Sequence, residues 1–127
     1  MNRNHFFISF FFLCSIRNFQ SALDLGCGRG LTASELTKDV VKRITMIDNS
    51  ARMLEQIRPP MEEGIEIIKK HMDEEELTGD ESSYDLAYSC LSLHWINDLP
   101  GVFRRVLRLL KNDAPFIGIE FIFIFIK

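Results

Sequence analysis

A carboxylate two residues ahead of three closely spaced glycines is the part of this chain best suited to chemistry. Ser21 to Gly30 reads S-A-L-D-L-G-C-G-R-G. Ala22, Leu23 and Leu25 form a short apolar run that carries Asp24 and breaks into Gly26, Gly28 and Gly30. The run reads as a strand, the glycines as a turn, and Leu31 to Lys38 as a short helix with Leu31 and Leu36 on its inner side. A glycine turn lets a ligand lie against bare main chain, and the start of the following helix offers free N–H groups. The spacing is G-x-G-x-G rather than the G-x-G-x-x-G of dinucleotide sites. Asp24 would repel a pyrophosphate. It suits a ligand that carries a positive amino group.

Asp48 is the second carboxylate. It ends an apolar run, Val40 to Ile47, eighteen residues after Gly30. From such a place a carboxylate can accept hydrogen bonds from both hydroxyls of a ribose. Ser50 is the better N-cap for a helix over 51–57, which leaves Asp48 for a ligand. Replacing Asp48 with Ala should then weaken ligand binding with little loss of fold. His94 lies in Leu91-Ser92-Leu93-His94-Trp95, beyond the strand that ends in Ser89 and Cys90. A histidine there is either a base beside an acceptor or a side chain that packs the loop with Trp95.

The elements that must position these groups follow from periodicity and punctuation. Arg43 to Ile47 is the core of a second strand. Pro59-Pro60 ends the helix after Ser50. Ile65 to Ile68 makes a third strand, and Glu74 to Glu76 after it read as solvated surface. Tyr84 to Cys90 makes a fourth. Asp98 caps a helix with Pro100 near its start, on which Val102, Phe103, Val106, Leu107, Leu109 and Leu110 show helical spacing and Arg104, Arg105, Arg108 and Lys111 lie mostly outward. Phe116 to Ile126 is a fifth strand, apolar enough to be buried on both sides. The order β-α-β-α-β-β-α-β predicts an α/β fold: a Rossmann-like, doubly wound parallel sheet of order 3-2-1-4-5. In such sheets ligands bind beyond the carboxyl ends of the strands, which places Ser89 across from the glycine loop.

Composition narrows the function classes. With 127 residues there is room for one domain and a modest core. A net charge of −3 gives no electrostatic case for nucleic acid. Cys14, Cys27 and Cys90 form no CxxC pair and no zinc spacing, so a reducing compartment is the simpler reading. His5, His71 and His94 are too scattered for an iron site of two histidines and one carboxylate, and no metal site is expected. Residues 1–20 form an N-terminal apolar extension: Phe6 to Cys14 is apolar but for Ser9, Arg3 and Arg17 flank it, and Asp24 is the first acid of the chain. The run is too short to span a bilayer. It reads as an edge element of the domain, as a mitochondrial presequence, or as a secretory signal without a cleavage site, in that order. Peripheral membrane association stays open.

Asp24 with Gly26-Cys27-Gly28-Arg29-Gly30 resembles the first motif of the class I S-adenosylmethionine (AdoMet) methyltransferases, and I-D-N-S-A-R-M-L at 47–54 resembles their second. The resemblance spans Ser21 to about Glu120. It implies that Asp24 and the backbone of Gly26, Cys27, Gly28 and Gly30 hold the methionine end of AdoMet. It also implies that Asp48 binds the ribose, that Asn49, Met53, Met72 and Asp73 border the adenine, and that Ser89 lines the site. L-D-L-G-C-G-R-G with C-L-S-L-H-W-I-N-D-L-P is most similar to the mitochondrial complex I assembly factor 5 group, a methyltransferase fold whose activity is arginine hydroxylation. The malonyl-carrier-protein methyltransferases of biotin synthesis carry a similar segment. This resemblance implies a methyltransferase-like protein of complex I assembly in the mitochondrial matrix, or on the matrix side of the inner membrane, with a complex I subunit as partner. The alternatives are a non-catalytic scaffold or arginine hydroxylase on the same fold, or a malonyl-carrier-protein methyltransferase of biotin synthesis; the alternative location is the cytoplasm. Members of the family continue past the fifth strand into a helix and a β-hairpin. The domain over 21–127 is therefore expected to be incomplete at its C-terminus, with cofactor binding a stronger expectation than turnover.

Overall fold

The computed structural model describes residues 18–57 and 63–119. Five parallel strands form one sheet in the order β3-β2-β1-β4-β5. They are β1 (Phe19–Leu25), β2 (Val41–Asp48), β3 (Glu66–His71), β4 (Leu86–Cys90) and β5 (Phe116–Ile119). Among the described residues two α-helices, α1 (Ala51–Glu55) and α2 (Leu99–Leu109), and three single 3₁₀ turns connect them. The doubly wound sheet and its order agree with the sequence reading.

The strand sequences explain the layers. β1 is the middle strand and is buried from Ala22 to Leu25. Alternate side chains enter opposite cores. Ala22 joins Ile44, Met46, Leu54, Leu86 and Tyr88 on one face. Leu23 and Leu25 join Ile47, Ala87, Val102, Val106 and Leu109 on the other. Each fully buried Leu or Ile contributes about 2 kcal/mol to holding the layers together. β3, at one edge, carries Glu66, Lys69 and Lys70, charges that discourage pairing with another chain.

The registers set the functional edge. Leu25 is level with Ile47 of β2 and with Ser89 of β4. The three strands therefore end side by side, and the loops after them meet where the strand order turns about β1.

Several elements differ from the sequence reading. The helix expected over Leu31 to Lys38 is only a 3₁₀ turn, Ala33–Glu35. Ser34 Oγ bonds back to the Leu31 carbonyl at 2.7 Å, and Leu36 is already extended, so no second turn forms. Leu36 is buried as expected, but Leu31 is 66% exposed. β1 begins at Phe19, inside the expected extension, because the Asp85 carboxylate binds the Gln20 and Ser21 amides. β3 runs on to His71, paired with Asp48. Tyr84 stands apart from β4 in an isolated bridge to Leu110. On α2, Leu107 faces outward and Phe103 packs edge-on against Phe116. β5 is an edge strand and only half-buried over 116–117, not covered on both faces. The remaining run to Ile126, the Phe-rich segment Phe6 to Cys14, and Pro59-Pro60 lie outside the described residues.

Candidate cofactor site

The glycine loop leaves β1 at Gly26, and both Gly26 (φ +62°) and Gly28 (φ +55°) are in the left-handed region. That turn needs glycine for different reasons at its two positions. A Cβ on Gly26 would overlap Ser92 and come within 2.9 Å of Glu74 Oε1. A Cβ on Gly28 would meet nothing within 4 Å, so this stretch of main chain is bare toward open space. The loop is stitched to β2 by the Cys27 amide on the Ile47 carbonyl, 2.9 Å.

Asp48 is the hub. Its Oδ2 accepts from the Gly28 amide and its Oδ1 from the Ser50 amide, both at 2.9 Å. Ser50 caps α1 as expected, its hydroxyl accepting from the Met53 amide. The expectation that this capping leaves Asp48 for a ligand needs correction. The carboxylate also holds the loop, and only its remaining lone pairs face outward.

A cleft of about 610 Å³ opens over this edge. Of the residues expected in the site, Gly26, Gly28, Asp48, Asn49, Met53 and Asp73 line it. Met53 is 39% exposed and so is no core residue. The Asp73 carboxylate binds the Glu75 amide at 2.8 Å, which fixes the loop after β3. Gly30, Cys27, Met72 and Ser89 stand behind the lining. Ser89 is fully buried, and its hydroxyl bonds that of Ser92 at 2.7 Å. Met72 packs on the core that holds Leu25 and Ile47. Burial pushes the Cys27 thiol up, helped by the nearby charges of Asp24 and Asp48, so it stays protonated.

Asp24 lies deeper still, 2% exposed. Its strand partners are Met46 and Tyr88, both fully buried. Desolvation pushes its pKa up to about 7, with Asp48 adding to the rise and the Tyr88 side chain opposing it. Its Oδ2 is buried without a hydrogen bond. A carboxylate in that condition gains from a cation brought close to it.

Three lining residues were not legible as site residues. Ser92 bonds both Ser89 and, at 3.2 Å, the Leu25 carbonyl, tying the loop after β4 to the end of β1. Glu74, expected at the surface, is 8% exposed and faces Gly26. Glu75 is half-buried and holds the Asp98 amide at 2.6 Å. An acidic run gives no period from which to tell its inward member. Trp95, 78% exposed and tilted against His94 at 4.8 Å, forms the rim. Among the described residues no helix is long and apolar enough to cross a membrane.

A sequence-family model described as "Methyltransferase domain" matches residues 22–113. Arginine-hydroxylase NDUFAF5, mitochondrial, of Danio rerio is 44% identical over 102 residues, 80% of this chain and 31% of that protein. Malonyl-[acyl-carrier protein] O-methyltransferase of Acetivibrio thermocellus is 37% identical over 94 residues, 72% of this chain and 32% of that protein. The chain thus spans about three tenths of the length of these relatives. An S-adenosylmethionine-dependent methyltransferase from Mesorhizobium loti, of known structure, superposes with a TM-score of 0.67 at 30% identity, over 80% of this chain and 46% of that one. The glycine loop, the strand-end carboxylate and strands β2 to β4 lie within the matched span, and the chain belongs to the methyltransferase domain family.

Proposed function

We propose that the cleft over the β1, β2 and β4 ends binds AdoMet. The observation that carries this reading is the pairing of Asp48 with the bare Gly28 loop beside the unsatisfied Asp24 oxygen. The residues suit the ligand. Asp24 and the backbone of Gly26, Cys27, Gly28 and Gly30 take the methionine end. The outward lone pairs of Asp48 take the ribose hydroxyls. Asn49, Met53 and Asp73 take the adenine, while Met72 and Ser89 support the lining from behind. Bound there, the cofactor supplies an electrophilic methyl carbon on a sulfonium. The protein's contribution to transfer is orientation of that carbon toward an acceptor entering past Trp95. Calorimetric titration of AdoMet into the purified chain tests the reading. Saturable binding supports it, and absence of binding by a folded chain refutes it.

The name of the Danio rerio relative, an arginine-hydroxylase of the mitochondrion, favours a second reading, in which the domain acts there on a protein partner; we take that partner to be the complex I subunit that the sequence resemblance implies. As a scaffold it would retain that subunit on co-purification from mitochondria without methyl transfer. As a hydroxylase it would leave the subunit's arginine oxidised, which peptide mass spectrometry detects.

A further inference from the structure

The cleft lining holds four carboxylates, Asp48, Asp73, Glu74 and Glu75, and no lysine, arginine or histidine. Its ligand should therefore carry net positive charge. AdoMet does: its ammonium and carboxylate cancel, and its sulfonium leaves one positive charge. S-adenosylhomocysteine (AdoHcy), the thioether without the methyl group, is neutral overall.

Among these carboxylates Glu74 is the one that stands over Gly26. Asp48 is committed to the Gly28 and Ser50 amides, Asp73 to the Glu75 amide, and Glu75 to the Asp98 amide. Glu74 is more than nine-tenths buried, yet it lines the cleft, and its Oε1 stands over Gly26. Two residues before that glycine, on β1, is Asp24, whose Oδ2 is buried without a hydrogen bond. Two buried carboxylates thus lie at the start of the glycine loop. Burial pushes the Glu74 pKa up; its own backbone amide opposes this, and Asp48, Asp73 and Glu75 add to it.

Position decides which charge Glu74 would meet. Asp48 sits where the ribose is proposed, and Gly26 at the methionine end. In AdoMet the sulfonium is one carbon from the ribose ring, between those two ends. We infer that Glu74 is the residue that reads the sulfonium charge, so that the site prefers AdoMet to AdoHcy. The inference rests on the AdoMet reading above. A sulfonium has no N–H to donate, so the contact is purely coulombic and is strengthened by the low polarity around a buried carboxylate.

The test is calorimetric titration of AdoMet and of AdoHcy into the wild-type chain, Glu74→Gln and Glu76→Gln. Glu76→Gln removes the same charge from the exposed neighbour outside the cleft. Wild type should favour AdoMet, and Glu74→Gln should lose about tenfold of that preference through weaker AdoMet binding, with AdoHcy changed by no more than about twofold. Glu76→Gln should keep the preference. If Glu74→Gln weakens both ligands equally, or neither, the inference is overturned while the AdoMet site stands. If wild type binds neither ligand, both readings fall. Should Glu74→Gln fail to fold, Glu74→Asp, which retracts the charge by one methylene, must lower the same ratio; an unchanged ratio overturns the inference.

Discussion

Gly28 donates its amide to Asp48 Oδ2 at 2.9 Å, across twenty residues of sequence. The bond makes one carboxylate serve two purposes, closing the glycine loop onto β2 and presenting its free lone pairs to the cleft. With the Ser50 amide on Oδ1, Asp48 also anchors the start of α1.

Asp48→Ala should therefore cost both binding and fold. Two backbone amides lose their acceptor, which destabilises the chain by about 1–3 kcal/mol. Asp48→Asn keeps one acceptor oxygen and should melt closer to wild type while still losing AdoMet affinity. Thermal melts beside calorimetry separate the two effects; an Asp48→Ala melting temperature equal to wild type would contradict the anchoring role.

Asp24 makes the cofactor-free protein less stable as pH rises. Its pKa is raised from 3.8 to about 7 in the folded chain. Between these values the unfolded chain has released the proton and the folded chain still holds it, so stability falls from about pH 4 to about pH 7 and then levels. The shift corresponds to about 4 kcal/mol above pH 7. Asp24→Asn should raise the melting temperature at pH 8, flatten this pH dependence and weaken AdoMet binding. A variant no more stable than wild type at pH 8 would show that the buried charge carries no such cost.

Two glycines should fail differently. Gly26→Ala meets Ser92 in a left-handed turn and should destabilise by about 3 kcal/mol. Gly28→Ala has room and should cost only about 1 kcal/mol. Its methyl group stands where the ligand should lie against the loop, so AdoMet affinity should fall at least about tenfold at nearly unchanged stability. Denaturant unfolding and calorimetry on both variants check the contrast; equal losses of stability would refute it.

Trp95 is the chain's one tryptophan and stands exposed on the cleft rim. Its fluorescence should change saturably as AdoMet is added, with the same midpoint as calorimetry, and in Gly28→Ala that midpoint should move up by the same factor as the calorimetric one. A flat emission during calorimetrically proven binding would place the ligand away from the rim.

The chain's local patterns carried much of this on their own. The short apolar run of β1, the break at Gly26, the Ser50 and Asp98 caps and the spacing of Val102, Val106 and Leu109 depend on neighbours a few residues apart. They predicted the sheet order and the loop with its two acids. The Leu31 to Lys38 helix failed because a single serine hydroxyl bonding back to Leu31 outweighs a weak helical period. What only the tertiary structure decided are relations between segments far apart. Asp48 is tied to Gly28 because β1 and β2 end level. Ser92 closes on Leu25 because β4 lies against β1, and Asp24 is desolvated by Met46 and Tyr88 from the strands on either side. Glu74 turns inward because the end of β3 carries it over Gly26. No short-range rule marks one member of an acidic run as buried; that follows from where the sheet leaves it, with a glycine opposite.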